Sequence, residues 1–175
     1  MAPITVSEKH PMLQCKPLPC FREDTQLTLE DRHAPGGSDA AGAFGLLNLM
    51  QGSSGNEGAK KVADWMANGY DDYMPVGVYD SVPSAEFNSS HFQEALQLRV
   101  GDEILLPVYR PPIKRSGSTA QYDIIGWVGF VITESVVSGS NSKLRGQFTR
   151  VTWEGIESDR SDGPDFGVRV IGLVE

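Results

Sequence analysis

The chain is poor in the groups that most enzymes and nucleic-acid binders need. Among 175 residues there are three histidines and two cysteines, and aromatic residues make up 9%. Basic residues are outnumbered, 15 Lys and Arg against 23 Asp and Glu, giving a formal charge of −8. That balance argues against a nucleic-acid partner, whose phosphates call for a basic face. It suits a solvated acidic surface or a basic partner. No apolar run approaches the roughly 18–20 residues that span a bilayer; Ile124 to Thr133 has about half that length and contains Gly126 and Gly129. The opening Met1-Ala-Pro-Ile-Thr-Val lacks the charged and apolar regions of a secretory leader. The expectation is therefore a cytosolic chain, or one that starts after an export segment.

Motifs for common chemistries are missing too. No phosphate-binding Gly-x-x-x-x-Gly-Lys-Ser/Thr, no dinucleotide Gly-x-Gly-x-x-Gly after a strand and no Gly-x-Ser-x-Gly elbow occurs. His10, His33 and His91 lie scattered in polar segments, so a Cys–His nucleophile has no visible base or oxyanion site. Carboxylates are plentiful. A glycan or peptide hydrolase would need two or more of Asp71, Asp72, Asp102, Glu103 and Glu134 to face one another across a cleft. The acidic stretch from Glu157 places Asp159, Asp162 and Asp165 near each other. Its spacing fails the EF-hand pattern, which leaves an irregular calcium site or a solvated turn. Trp127 and Trp153 fall at strand positions, where core packing is the ordinary role. Asn88-Ser-Ser fits a glycosylation acceptor.

What is abundant is the punctuation of a turn-rich fold: 19 Gly and 11 Pro. Residues 1–42 read as an irregular segment in which only Gln26 to Glu30 alternates like a strand. Within it, Cys15 and Cys20 flank Lys-Pro-Leu-Pro. A disulfide is the first reading of that pair, with free thiols or metal ligation as alternatives; zinc would want a second pair of ligands that the sequence does not supply. Residues 43–175 read as a single β-rich domain. Ala43 to Leu49 is a buried strand, and Ala59, Val62, Ala63 and Met66 share one face of a helix over 55–68. Ser54 and Glu57 have capping-box spacing, and Gly69 supplies a left-handed cap. Met74 to Tyr79 is a strand; a second short helix, with Ser90 and Gln93 at capping spacing, ends near Leu98.

Glu103 to Tyr109 follows as a strand, and Arg110 to Ala120 reads as a basic polar loop. Tyr122 to Thr133 is apolar on both faces, which implies a strand buried on both sides. Its two glycines imply a bulge or a close neighbour. Strands over 144–153 and 166–174 complete the chain. The short connections predict a mainly β (or α+β) fold: a small antiparallel β-barrel or sandwich with two short inserted helices.

Several blocks in this order carry a resemblance. They are Phe44-Gly-Leu-Leu-Asn-Leu, Ala63-Asp-Trp-Met-Ala-Asn-Gly-Tyr with Pro75-Val-Gly, Phe87-Asn-Ser-Ser leading into Ala95-Leu-Gln-Leu-Arg-Val-Gly, Leu105-Leu-Pro-Val-Tyr, and Tyr122-Asp-Ile-Ile-Gly-Trp-Val-Gly-Phe-Val-Ile-Thr. Over roughly residues 15–156 the chain resembles the C-terminal extracytoplasmic region of TadE/TadG-like proteins of the bacterial Tad (Flp) pilus system. The resemblance implies an extracytoplasmic, non-catalytic protein–protein interaction module of pilus assembly or secretion. Its partners would be other envelope or pilus proteins, with no cofactor, no nucleic acid, and membrane attachment only through an anchor helix absent from this chain. The residues that match are mainly Gly, Pro, Trp and buried strand positions, so they carry no active site. Asp80-Ser-Val-Pro-Ser lacks the spacing of the Asp-x-Ser-x-Ser metal motif found in some relatives, and no metal is expected there. Two other classes compete with this reading: the carboxylate hydrolase and a calcium-dependent adhesion domain.

Overall fold

A computed structural model of the chain describes residues 1–15, 20–21, 23–29, 43–50, 58–72, 74–82, 88–116, 119–136, 142–153 and 165–170. In chain order the elements are β1 (Ile4–Ser7), a 3-10 turn (Pro11–Leu13), β2 (Asp24–Leu29), β3 (Ala43–Leu46), α1 (Ala59–Asn68), β4 (Gly77–Asp80) and α2 (Ser90–Leu98). Then come β5 (Glu103–Ser116), β6 (Thr119–Val136), β7 (Lys143–Thr149), β8 (Val151–Trp153) and β9 (Val168–Val170).

The longest strand, β6, organises the rest. Along one edge it pairs antiparallel with β5, from Glu103↔Val131 to Ser116↔Thr119. Its other edge is shared: β4 takes the first part (Gly77↔Ile124) and β7 the last (Phe130↔Phe148). β5 then lies parallel to β1, β1 antiparallel to β3, β3 parallel to β2, and β2 antiparallel to β7. Because β7 also pairs with β6, the strands β6-β5-β1-β3-β2-β7 form a closed ladder, and none of the six is left with a wholly unpaired edge. An isolated antiparallel bridge, Leu47↔Ser81, ties the end of β3 to the end of β4. The protein is thus a mixed, barrel-like sheet with two helices, and α1 and α2 pack against each other.

The residues of β6 explain its position. Tyr122, Ile124, Val128, Phe130 and Ile132 are essentially inaccessible to solvent, and Ile125 and Trp127 are buried as well. A strand apolar on both faces is stable only when both are covered. The register shift after Val108, with Val108 opposite Gly126 and Tyr109 opposite Ile124, leaves Ile125 as the extra residue of a bulge, as the glycines imply. A Cβ on Gly126 would stand 3.0 Å from the Phe166 ring. On Gly129 it would stand 2.5 Å from Val151 and 2.6 Å from Thr149 Oγ1. Both glycines are therefore sites of close approach by the end of β7 or the segment after it.

Inside, aromatic rings fill the space. Tyr79, Tyr109, Tyr122, Phe92, Phe130 and Phe148 are the largest fully buried side chains. Tyr109 and Tyr122 meet edge to face at 4.9 Å, and Phe130 and Phe148 at 5.2 Å.

Three expectations need correction. The stretch 1–42, expected to be irregular apart from a short strand over Gln26 to Glu30, supplies that strand as β2 and also an unexpected one, β1, to the central ladder. In β1 all four residues are buried, and Thr5 Oγ1 donates to the Pro107 carbonyl at 2.8 Å, which satisfies its buried hydroxyl. Four residues with alternating polar side chains give too short a pattern to reveal a strand whose partners are far away in the chain. The pairing is also less antiparallel than short connections predict, since β1–β5, β2–β3 and β8–β9 are all parallel. Lastly, within Arg110 to Ala120, expected to be a loop, Arg110 to Ser116 and Thr119 to Ala120 belong to the paired strands β5 and β6. Pro111 and Pro112 fall between Arg110↔Asp123 and Lys114↔Gln121, at a break in the register where no ladder N–H is required.

The helices follow their sequence signals closely. Gly69, at φ +85°, ends α1 by donating its N–H to the Trp65 carbonyl. Gly58 caps the other end, and the Ser54–Glu57 box lies outside the described residues. For α2 the cap is Ser89, one residue before the expected Ser90; its hydroxyl accepts from the Phe92 N–H.

Candidate functional site

Three groups of residues stand out from the sequence: the cysteine pair, the carboxylates, and the basic hairpin. The structure joins the first to a buried histidine and leaves the second exposed on the surface.

Cys15 and Cys20 are bonded to each other, with Cα atoms 5.6 Å apart. The disulfide closes a short N-terminal arm that starts at His10. Backbone N–H groups of His10, Leu13 and Gln14 donate to the carbonyls of Ser7, His10 and Pro11, which folds the arm into a 3-10 turn. Leu13 reaches the core. The Cys20 N–H donates to the Met12 carbonyl at 2.7 Å, so the far end of the disulfide ring is anchored on the turn.

His10 sits beneath this arm and is only 3% exposed. Its Nδ1 accepts from the Met12 N–H at 3.2 Å, acting as the cap of the turn. Its Nε2 lies 3.5 Å from Thr25 Oγ1, and its ring packs edge-on against Phe148 at 5.2 Å. Burial lowers its pKa below the ordinary histidine value, opposed by a hydrogen bond to the Gln26 backbone. Sequence reasoning missed this role, because His10 stands between Lys9 and Pro11 in a segment without periodicity. The one available signal was His-Pro ahead of a short apolar pair, the pattern of a capped turn.

The carboxylates of the hydrolase reading lie on the surface. Asp71, Asp72, Asp102, Glu103 and Glu134 are all exposed. Asp102 pairs with Arg99 at 3.3 Å and Glu134 with Arg145 at 3.3 Å. Asp71 acts on the Met1 amino group, whose pKa is lowered by burial and then by Arg99, with Asp71 opposing both. Asp72 acts on Tyr70, whose pKa is raised first by burial and then by that carboxylate. Among the described residues, no three His, Cys, Asp or Glu side chains gather as a metal site. Asp165 is exposed and accepts from the Gly167 N–H at 2.8 Å, while Asp159 and Asp162 lie outside the described residues.

On the basic hairpin, Arg110 is shared between Glu8 at 3.8 Å and Asp123 at 4.0 Å. Both partners lie on neighbouring segments, so this arginine braces β5 against β6 and the turn after β1. Trp127 is buried in the core, as its strand position implies; its indole N–H has no acceptor among the described residues. Asn88 is exposed just before α2, and its carbonyl accepts from the Gln93 side chain.

Among the described residues no helix is long and apolar enough to cross a membrane. Comparison with protein-family models, with curated proteins and with solved structures gave no match.

Proposed function

We propose that this protein is a non-catalytic interaction module that works outside the cytoplasm, of the kind its resemblance to TadE/TadG-like pilus proteins implies. The observation that carries the reading is the filling of the barrel by its own aromatic rings. With Tyr79, Tyr109, Tyr122, Phe130 and Phe148 occupying the interior, recognition falls to the outer surface and the strand connections. The Cys15–Cys20 disulfide supports an oxidising compartment, where such bonds persist. An acidic, strongly solvated surface suits reversible contact with other envelope proteins.

Two measurements test this. Chemical cross-linking of the purified protein is carried out in envelope extracts from a strain that assembles Tad pili and from its pilus-deficient counterpart. Cross-links to pilus components in the first extract alone are expected; identical cross-link patterns in both would overturn the pilus assignment. Thiol alkylation of exported protein should find both cysteines bonded, whereas two free thiols would count against the compartment.

A further inference from the structure

Met12 occupies an unusual position at the base of the N-terminal arm. Its N–H is held by the His10 ring and its carbonyl by the Cys20 N–H, so one residue connects a buried imidazole to a disulfide. We propose that His10 and the Cys15–Cys20 disulfide form a single acid-sensitive clamp, coupled through Met12, that fastens the N-terminal arm onto β2 and β7.

The chemistry follows from the tautomer that the geometry requires. A ring nitrogen that accepts from a backbone N–H has its lone pair engaged, so Nδ1 carries no proton and Nε2 carries the one of the neutral ring. That Nε2 proton faces β2, where the Gln26 backbone and Thr25 Oγ1 receive it. A second proton has to enter at Nδ1. There it would meet the Met12 N–H head-on, so protonation and the Met12 bond exclude each other.

The surroundings do not favour the cation. Charged groups carried by the elements packed on His10 and the residues flanking them are Glu8 and Lys9 on its own turn, Glu23 just before β2 and Asp24 at its start, Lys143 and Arg145 on β7, and Arg150 just after it. Glu8 is engaged by Arg110, Asp24 by the Gln147 side chain, and Arg145 by Glu134; Arg150 lies over the Phe21 ring. None of these charges enters the causes of the histidine's shift, which are burial and the Gln26 backbone bond.

The direction in pH follows. The folded value is lowered, so the clamp contributes fully above the unfolded value of about 6.5. Its contribution is lost as pH falls below that and through the folded value. Coupling is reciprocal: whatever loosens Met12 at the disulfide end eases protonation at the histidine end, and the converse. This inference is independent of the pilus assignment.

The test follows both ends. First, the imidazole of the wild-type chain is titrated by NMR with the disulfide intact and again after reduction. Reduction with a water-soluble trialkylphosphine converts the disulfide to two thiols, the phosphine taking oxygen from water to become its oxide. The expected result is a His10 pKa below 6.5 in the oxidised chain that rises toward 6.5 on reduction. An unchanged value would overturn the coupling. Second, the rate of phosphine reduction is compared between wild type and His10→Asn from pH 7.5 to pH 5. The asparagine Oδ1 replaces the Nδ1 acceptor without titrating, and the ratio of rates cancels the reagent's own pH dependence. The ratio should rise toward acid, by at most about tenfold for each unit by which the folded pKa is lowered; a ratio flat with pH would overturn the clamp.

Discussion

At Gly146, in the middle of β7, the Val131 carbonyl and the Phe130 ring occupy the place where a Cβ would stand. The carbonyl belongs to the β6–β7 ladder and has no room to retreat, unlike the end of a flexible side chain. Gly146→Ala should therefore destabilise the protein by about 1–3 kcal/mol, the range for overpacking a close-packed interior, as read by urea denaturation. Gly45 meets the Tyr122 hydroxyl in the same way, inside the barrel. At Trp127 two effects separate. Trp127→Ala leaves a large void and should cost about 3–5 kcal/mol. Trp127→Phe should cost far less, because it keeps most of the ring and removes an indole N–H that lacks an acceptor among the described residues. Equal losses in the two variants would mean that the indole nitrogen is engaged after all. By contrast, the ion pair Arg145–Glu134 is solvent-exposed and contributes about 0–1 kcal/mol.

Among the elements, those governed by local chemistry were the ones the sequence revealed. The end of α1 at Gly69, the cap region of α2 and the double-faced burial of β6 each rest on residues a few positions apart. Ser89→Ala should cost about 1 kcal/mol by removing the acceptor for the Phe92 N–H, measurable as a lower denaturation midpoint. What the sequence concealed depends on distant partners. Nothing near Ile4–Ser7 announces that Val6 will lie beside Val108 and Phe44. Nothing near Pro111 and Pro112 shows that a break in the β5–β6 register will accommodate them. The candidate site divides the same way. The Cys15–Cys20 bond was the first of three readings of a closely spaced pair, whereas His10 became meaningful only once Phe148 and Gln26 were folded over it. Paired carboxylates were visible as letters, and their exposure on the surface is a property of the fold.

For the whole molecule, the disulfide and the histidine set how stability responds to redox state and pH. Replacing both cysteines, Cys15→Ser with Cys20→Ser, should lower stability by about 2 kcal/mol, the entropy of so small a covalent ring in the unfolded chain. The wild-type protein should also lose stability as pH falls below about 6.5, because the unfolded chain binds a proton at His10 more readily than the folded one. In His10→Asn that part of the pH dependence should vanish.

Closure of the six-stranded ladder places β6 between β5 and β7 and seals the aromatic interior. Native-state hydrogen exchange tests it directly. A closed ladder predicts slow exchange for the ladder amides of β2 and β7, such as Leu27 and Leu144, within about tenfold of those at Val128 and Phe130 in β6. If the β2 and β7 amides exchanged at the rates of an open edge while those of β6 stayed protected on the β5 side alone, the barrel would be open and the account wrong.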